Sequence, residues 1–363
     1  MSNFNTIHNS FRLNGNSFSS QKELLVFAKQ LSLSTYTFLK EWFNNTDFIA
    51  VHTSGSTGTP KSINIRKEQM ISSANATGDY FNLPNNTSAL LCLSTEFIAG
   101  KMMLVRALVL GWQIDIIEPT SDPLSGMSKP YDFCAMMPMQ LQNSLKNLDL
   151  IKKIIVGGAK VSNSLQQKLK DLKTEVYATY GMTETVTHIA AMKLNNGLSI
   201  SSESEKSKPY YKVFPNVKIS KDTRGCLVID APTISNEQVK TNDLVEIISD
   251  TEFKWLGRYD SIINSGGIKI SPELIEEKLE HVIKQRFFAA GIPDTILGEK
   301  LIIVIESANI EDNLLYKIKE VKALSKFEIP KEMYAVPVFA RTGTKKIDRK
   351  KILTNLNLLK FDR

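Results

Sequence analysis

Three stretches of this chain carry side chains whose types and spacing suit phosphate, a hard cation and a transferring anionic group. The first is Thr53-Ser-Gly-Ser-Thr-Gly-Thr-Pro-Lys61. Gly55 and Gly58 let backbone N–H groups turn toward an anion, while Thr53, Ser54, Ser56 and Thr57 add hydroxyls and Lys61 a positive charge. The loop suits a polyphosphate. It is not the common phosphate loop, G-x-x-x-x-G-K-[ST], because Pro60 stands before the lysine with a fixed φ and no N–H to donate. A kinase or ATPase of that class is disfavoured.

The second stretch is Tyr180-Gly-Met-Thr-Glu-Thr185. Glu184, between the hydroxyls of Thr183 and Thr185, offers the oxygen ligands that Mg2+ prefers to share with phosphates. Tyr180 offers an aromatic face to a base. The third is the basic segment Arg341-Thr-Gly-Thr-Lys-Lys-Ile-Asp-Arg349.

Elements to position these groups are legible in the hydrophobic pattern. Residues 19 to 45 read as helical, and the apolar run 48–51 reads as a buried strand emptying into the glycine loop, with a returning strand at 63–65. A helix follows at 67–80, then strands at 89–93, 133–137, 153–156 and 175–179 alternating with helices. That alternation implies an α/β fold with a mostly parallel sheet. Past about 195, short strands at 213–219, 226–229, 244–248 and 253–256 predict a small antiparallel β subdomain. A further unit opens with strand 262–263, a turn at Gly266-Gly267 and a helix begun by Ser271-Pro272, good N-cap and first-turn residues. The expected division is a large N-terminal domain, 1–257, and a small mobile α+β domain, 258–363.

Composition narrows the classes. At 363 residues, 42% hydrophobic and 23% charged, this is an ordinary soluble composition with room for two domains. A net charge of +7 suits an anionic ligand, and no segment resembles a nucleic-acid-binding arm. Cys92, Cys134 and Cys226 form no C-x-x-C pair and the four histidines show no metal spacing, so a reducing cytoplasm is expected. Residues 1–16 lack an apolar signal core. The run from Met102 to Ile117 is too short for a bilayer and contains Arg106 and Asp115. It reads as a helix over 101–110, a stop at Gly111 and a strand over 112–117.

Taken with these motifs, the sequence resembles the adenylate-forming enzymes: acyl- and aryl-CoA ligases, luciferases and peptide-synthetase adenylation domains. In that resemblance 53–61 is the phosphate loop, Thr183 touches phosphate, Glu184 binds magnesium and Tyr180 stacks on adenine. Ile155-Val-Gly-Gly-Ala159 resembles the wall in which Gly158 and Ala159 line the nucleotide and acyl pocket. Lys240-Thr-Asn-Asp243 resembles the K-T-G-D turn whose aspartate grips the ribose; Asn242 replaces glycine, and asparagine tolerates positive φ. Gly257-Arg-Tyr-Asp260 implies that Arg258 meets the nucleotide and Asp260 is the hinge. In 341–349, aligned on Ile347 and Arg349, the catalytic lysine of T-G-K-I-x-R falls on Lys346, with Lys345 in place of glycine. The neighbouring Lys345 points the other way in an extended segment.

The resemblance implies ATP and CoA as co-substrates, Mg2+ as cofactor and a small carboxylic acid as partner. It is strongest to the short bacterial o-succinylbenzoate–CoA ligases of menaquinone synthesis, since only about fifty residues precede the phosphate loop and much of the first subdomain of longer members is missing. Phe97, Gly100 and Lys101 then fall on the acid side of the pocket, where Lys101 meets a second carboxylate. Another aryl- or acyl-CoA ligase, an adenylation enzyme loading a carrier protein, and a catalytically silent nucleotide-binding protein remain as alternatives.

Overall fold

The computed structural model describes residues 7–52, 62–195, 210–342 and 347–358. Strands and helices are numbered along the chain. One sheet of 12 strands runs through most of it. Its parallel half places Arg12–Leu13 (β1), Gln113–Ile116 (β5), Ser88–Leu91 (β4), Tyr131–Met136 (β6), Ile151–Val156 (β7) and Glu175–Gly181 (β8) side by side in that order. Phe48–His52 (β2) and Ser62–Arg66 (β3) stand apart as an antiparallel ribbon on either side of the glycine loop. The helices are Gln21–Leu31 (α1), Leu33–Trp42 (α2), Lys67–Phe81 (α3), Ile98–Leu110 (α4), Pro138–Asn143 (α5) and Asn163–Leu169 (α6).

Alternation along each strand sends side chains to opposite faces. Phe133 and Ala135 of β6 join a core with Met70 and Ala74 of α3 and Met102 and Val105 of α4. Cys134 and Met136 point the other way, into a core with Leu141 of α5 and Leu165 of α6. Each such fully buried large side chain contributes about 1.5–3 kcal/mol. The expected stop after α4 is observed: Gly111 caps the helix in the left-handed region, φ 69°.

The predicted antiparallel strands near 226–229, 244–248 and 253–256 are present. The one expected over 213–219 is broken by a turn at 214–217 into two strands that lie apart, and none of them forms a separate sheet. His188–Lys193 (β9), which the sequence pattern did not reveal, pairs with β8 and hands the sheet on to Tyr211–Val213 (β10), Glu252–Arg258 (β14), Val239–Ser249 (β13), Cys226–Asp230 (β12) and Lys218–Lys221 (β11). The expected helix over 19–45 is two. Ser32 breaks it, because its hydroxyl accepts from Thr35 N and starts α2 afresh.

A second sheet holds Ile268–Ile270 (β16), Ile263–Ser265 (β15), Gly298–Glu306 (β18), Phe287–Asp294 (β17) and Glu332–Val336 (β19). Pro272–Leu279 (α7) and Leu314–Lys319 (α8) cover one face and Arg349–Asn355 (α9) the other. Ser271 precedes α7 as expected but does not cap it; its hydroxyl donates to Leu256 O at 3.0 Å instead. Among the described residues, no helix is long and apolar enough to cross a membrane.

Candidate active site

In a parallel sheet the carboxyl ends of the strands open on one edge, the usual place for a ligand. Here β4, β6, β7 and β8 are neighbours and point the same way. The residues leaving those ends are Phe97 and Gly100 after β4, Gly158 and Ala159 after β7, and Tyr180 to Glu184 at the end of β8. The topology thus brings together three segments that lie far apart in sequence. The phosphate-loop residues Thr53, Ser54, Gly55, Ser56, Thr57, Gly58 and Lys61 lie outside the described residues, as do Lys345 and Lys346.

The end of β8 is built to present Glu184. A Cβ on Gly181 would lie 2.2 Å from Thr187 O, so only glycine lets β8 and β9 approach this closely. Thr185 is fully buried and spends its hydroxyl on the turn, accepting from Met182 N at 3.0 Å and lying 2.8 Å from Thr187 O. Val186 is held at φ 63°, a strained conformation for a β-branched residue. Glu184 is left exposed and Thr183 half-buried. Among the described residues Glu184 makes no hydrogen bond or ion pair. Hard oxygen donors at an open strand end fit a magnesium ion that takes its other ligands from phosphate and water.

Asp243 anchors the other side. Tyr180 Oη donates to its Oδ2 at 2.6 Å and Trp255 Nε1 to its Oδ1 at 3.1 Å. Burial, then the neighbouring carboxylate, pushes the Tyr180 phenol well above its usual range. Arg258, opposite Asp243 across the β13–β14 ladder, lies 3.9 Å from it and forks onto Asp260 at 3.0 and 2.8 Å. That fork holds the Asp260 carboxyl below its usual range. Asn242 needs no positive φ, because it lies in extended β13 rather than in a turn. Its side chain accepts from Arg224 Nη1 at 2.9 Å.

The acid-side residues behave differently. Phe97 is the N-cap of α4 and 45% exposed. Gly100 is buried, and a Cβ there would lie 2.2 Å from Ser94 O, so its role is close packing. The Lys101 ammonium lies 4.9 Å from the Phe38 ring centroid, with Glu41 and Glu96 near, and burial lowers its pKa.

Arg106, five residues on and about 140° around α4 from Lys101, was not singled out for the site by the motifs. It is 2% exposed and donates through Nε to Thr77 Oγ1 at 3.2 Å and through Nη2 to Thr187 Oγ1 at 3.4 Å. Thr187 lies three residues beyond Glu184. No carboxylate pairs with Arg106 among the described residues. Burial draws its pKa down to about 9, which leaves it charged at neutral pH. His188 Nε2 shares the Thr77 hydroxyl at 3.0 Å, and burial beside Arg106 pushes His188 well below its usual value. One turn earlier on α3, the Ser73 hydroxyl is buried with no hydrogen-bond partner among the described residues. The sequence signal was a single arginine inside the apolar run 102–110.

Comparisons with known proteins agree with this geometry. The model of the AMP-binding enzyme family matches residues 40–228, just over half the chain. The 2-succinylbenzoate–CoA ligase of Haemophilus influenzae is 25% identical over 323 residues, spanning 83% of this chain and 69% of that protein. An acyl-CoA synthetase (AMP-forming)/AMP-acid ligase II-like protein from Dyadobacter fermentans is 40% identical, with TM-score 0.57 and coverage of 89% and 93%. The O-succinylbenzoate coenzyme A synthetase of Bacillus subtilis, solved with ATP and magnesium ion, shares the fold with TM-score 0.72 at 18% identity, covering 92% of this chain and 82% of that one. The family model, which matches just over half of the chain and takes in Tyr180 and Glu184 at the end of β8, places this chain in the AMP-binding enzyme family.

Proposed function

We propose that this chain is an ATP-dependent, AMP-forming acid–CoA ligase whose acid is o-succinylbenzoate. The observation that carries the choice of acid is Arg106. A buried guanidinium is costly unless an anion compensates it, and the Ser73 hydroxyl beside its partner Thr77 also lacks an acceptor. A substrate with two carboxylates supplies both: one is activated, the other meets Arg106 and Ser73. The resemblance to 2-succinylbenzoate–CoA ligases supports the same acid.

The chemistry follows from charge. The acid carboxylate attacks the α-phosphate of ATP, and because both are anions their approach needs neutralisation. The amides and hydroxyls of 53–58, Lys61 and Lys346 provide it, while Asp243 accepts from the ribose hydroxyls. Magnesium, held by Glu184 with Thr183 near, would supply further charge compensation on the phosphate oxygens. Pyrophosphate leaves, and the CoA thiol then displaces AMP from the acyl-adenylate. Two half-reactions in one cleft require a rearrangement, and residues 258–363 turning about Asp260 provide it.

Pyrophosphate release with a panel of acids, with and without CoA, tests the reading. The expected result is release with o-succinylbenzoate but not with benzoate, and a CoA thioester by mass spectrometry. Arg106→Met should raise the KM for o-succinylbenzoate by roughly 10- to 100-fold, the worth of a charged hydrogen bond, with the KM for ATP unchanged. Equal turnover of monocarboxylic acids, or indifference to Arg106→Met, overturns the assignment of the acid. Adenylate without thioester points to a carrier-loading enzyme instead.

A further inference from the structure

Asn242 stands where the K-T-G-D pattern has glycine, and its side chain is engaged on two sides. Its Oδ1 accepts from Arg224 Nη1 at 2.9 Å. The Arg258 fork, and the Asn242 side chain after it, hold the Asp260 carboxyl below its usual range. A glycine at 242 has no side chain and would make neither contact.

Arg224 lies in the turn between β11 and β12, and all three of its guanidinium nitrogens are in use. Nε donates to Asp222 Oδ2 at 2.8 Å, and Nη1 and Nη2 donate to Asn242 Oδ1 and Thr241 O, each at 2.9 Å. The guanidinium also lies 5.2 Å from the Tyr259 ring centroid. Asp222 is itself fixed, accepting through Oδ1 from Arg224 N and Cys226 N, each at 2.9 Å.

Tyr259 and Asp260 are the first two residues after β14. The next, Ser261, is held from the other side, donating through Oγ to Glu273 Oε1 of α7 at 2.8 Å. The segment is thus gripped by the β11–β12 turn before and at Asp260, and by α7 just after it. The Arg224 side chain is 37% exposed and Tyr259 40%. Contacts this exposed add little to the stability of the fold. A planar cation engaged on every side supplies orientation instead, and it is weak enough to release.

We propose that Arg224 and Asn242 form a clasp on Tyr259 and Asp260, which holds residues 258–363 in the orientation of this structure and must open before they turn. Both are positioning residues, acting through the segment at Asp260 and not on the reacting atoms. The proposal rests on the reading that two half-reactions are linked by a turn about Asp260, and its test keeps the two claims apart.

Spin labels at Lys168→Cys in α6 and Lys319→Cys at the end of α8, both exposed positions, read the distance between the two domains. Cys92, Cys134 and Cys226 are buried, so the labels go to the introduced thiols. Without ligand the wild type should show one dominant distance; o-succinylbenzoate with ATP, magnesium and CoA should populate a second. Arg224→Ala should raise the ligand-free ratio of second to first by about three- to tenfold, as expected for one exposed stack and its hydrogen bonds. Tyr259→Leu and Asn242→Gly leave the 222–225 turn intact and should each raise it by about twofold or more. Arg224→Lys keeps the charge but loses the fork, so it should behave like Arg224→Ala. Every variant should keep a Tm near the wild type. The ratio of pyrophosphate exchange to thioester formation from supplied acyl-adenylate should shift along with the populations. If the wild type shows both distances, then wild-type populations in these variants, or their restoration by Arg224→Lys, overturn the clasp alone. A wild type that keeps one distance with every ligand overturns the turn about Asp260, and the clasp with it.

Discussion

The Tyr180 hydroxyl donates a 2.6 Å hydrogen bond to Asp243 Oδ2, joining the last turn-out of β8 to the middle of the antiparallel half of the sheet. Sixty-three residues separate the two, and Trp255 closes the other side of the same carboxylate. Both donors are largely buried aromatics, so the carboxylate is aimed by groups that cannot easily rotate. In the function proposed above, its remaining lone pairs meet the ribose diol.

Tyr180→Phe removes one of those donors without removing the ring. A net hydrogen bond of this kind is worth about 1.5–3 kcal/mol, so the Kd for ATP should rise roughly tenfold or more. Isothermal titration with ATP and magnesium measures it. If Asp243 were held by Trp255 alone, the Kd would not move.

How much of this was legible beforehand depends on how local the information is. Tyr180, Glu184, Asp243, Arg258 and Asp260 each sit in a run of neighbours with distinctive chemistry, and the strand before each run is a plain apolar pattern. Trp255, Ser73 and Arg106 carry no such local mark. Trp255 meets Asp243 only across the β13–β14 pair, and Ser73 and Arg106 lie where α3, α4 and the β8–β9 turn converge, across 29 residues for Arg106 and Thr77 and 81 for Arg106 and Thr187. Lys101 has a tertiary setting that the sequence did not show either: its ammonium lies 4.9 Å from the Phe38 ring centroid. Likewise β9 escaped notice because His188 and two alanines blur its alternation.

Gly181→Ala tests the close passage of β8 past β9. The new Cβ would meet backbone, Thr187 O at 2.2 Å and His188 Cα at 2.5 Å, so the strands must part. Overpacking of this kind costs about 1–3 kcal/mol. The urea midpoint should fall accordingly, and the turn that presents Glu184 should loosen with it. A wild-type midpoint would mean that the hairpin shifts freely.

His188 predicts a pH dependence of stability. It is buried neutral beside Arg106, so its folded-state pKa lies well below its unfolded value of about 6.5. As pH falls through the unfolded value, the unfolded chain takes up a proton that the folded chain refuses, and stability drops. The slope from this one group approaches about 1.4 kcal/mol per pH unit below that point. Urea melts of the wild type and His188→Gln between about pH 5 and 7 should differ by that slope. Parallel curves would show that His188 charges in the fold.

Glu184→Gln isolates the metal's share of the site. The substitution keeps size and one acceptor oxygen but removes the charge that a hard divalent cation needs. Thr185 and Val186 set the turn without help from the Glu184 side chain, so the fold should be unaffected and the Tm unchanged. The magnesium concentration for half-maximal pyrophosphate exchange should rise, by roughly tenfold for one lost carboxylate ligand. Excess magnesium should then restore much of the rate, because the site is open to solvent and phosphate oxygens still contribute. A variant that loses activity at every magnesium concentration would instead place Glu184 in contact with the reacting groups.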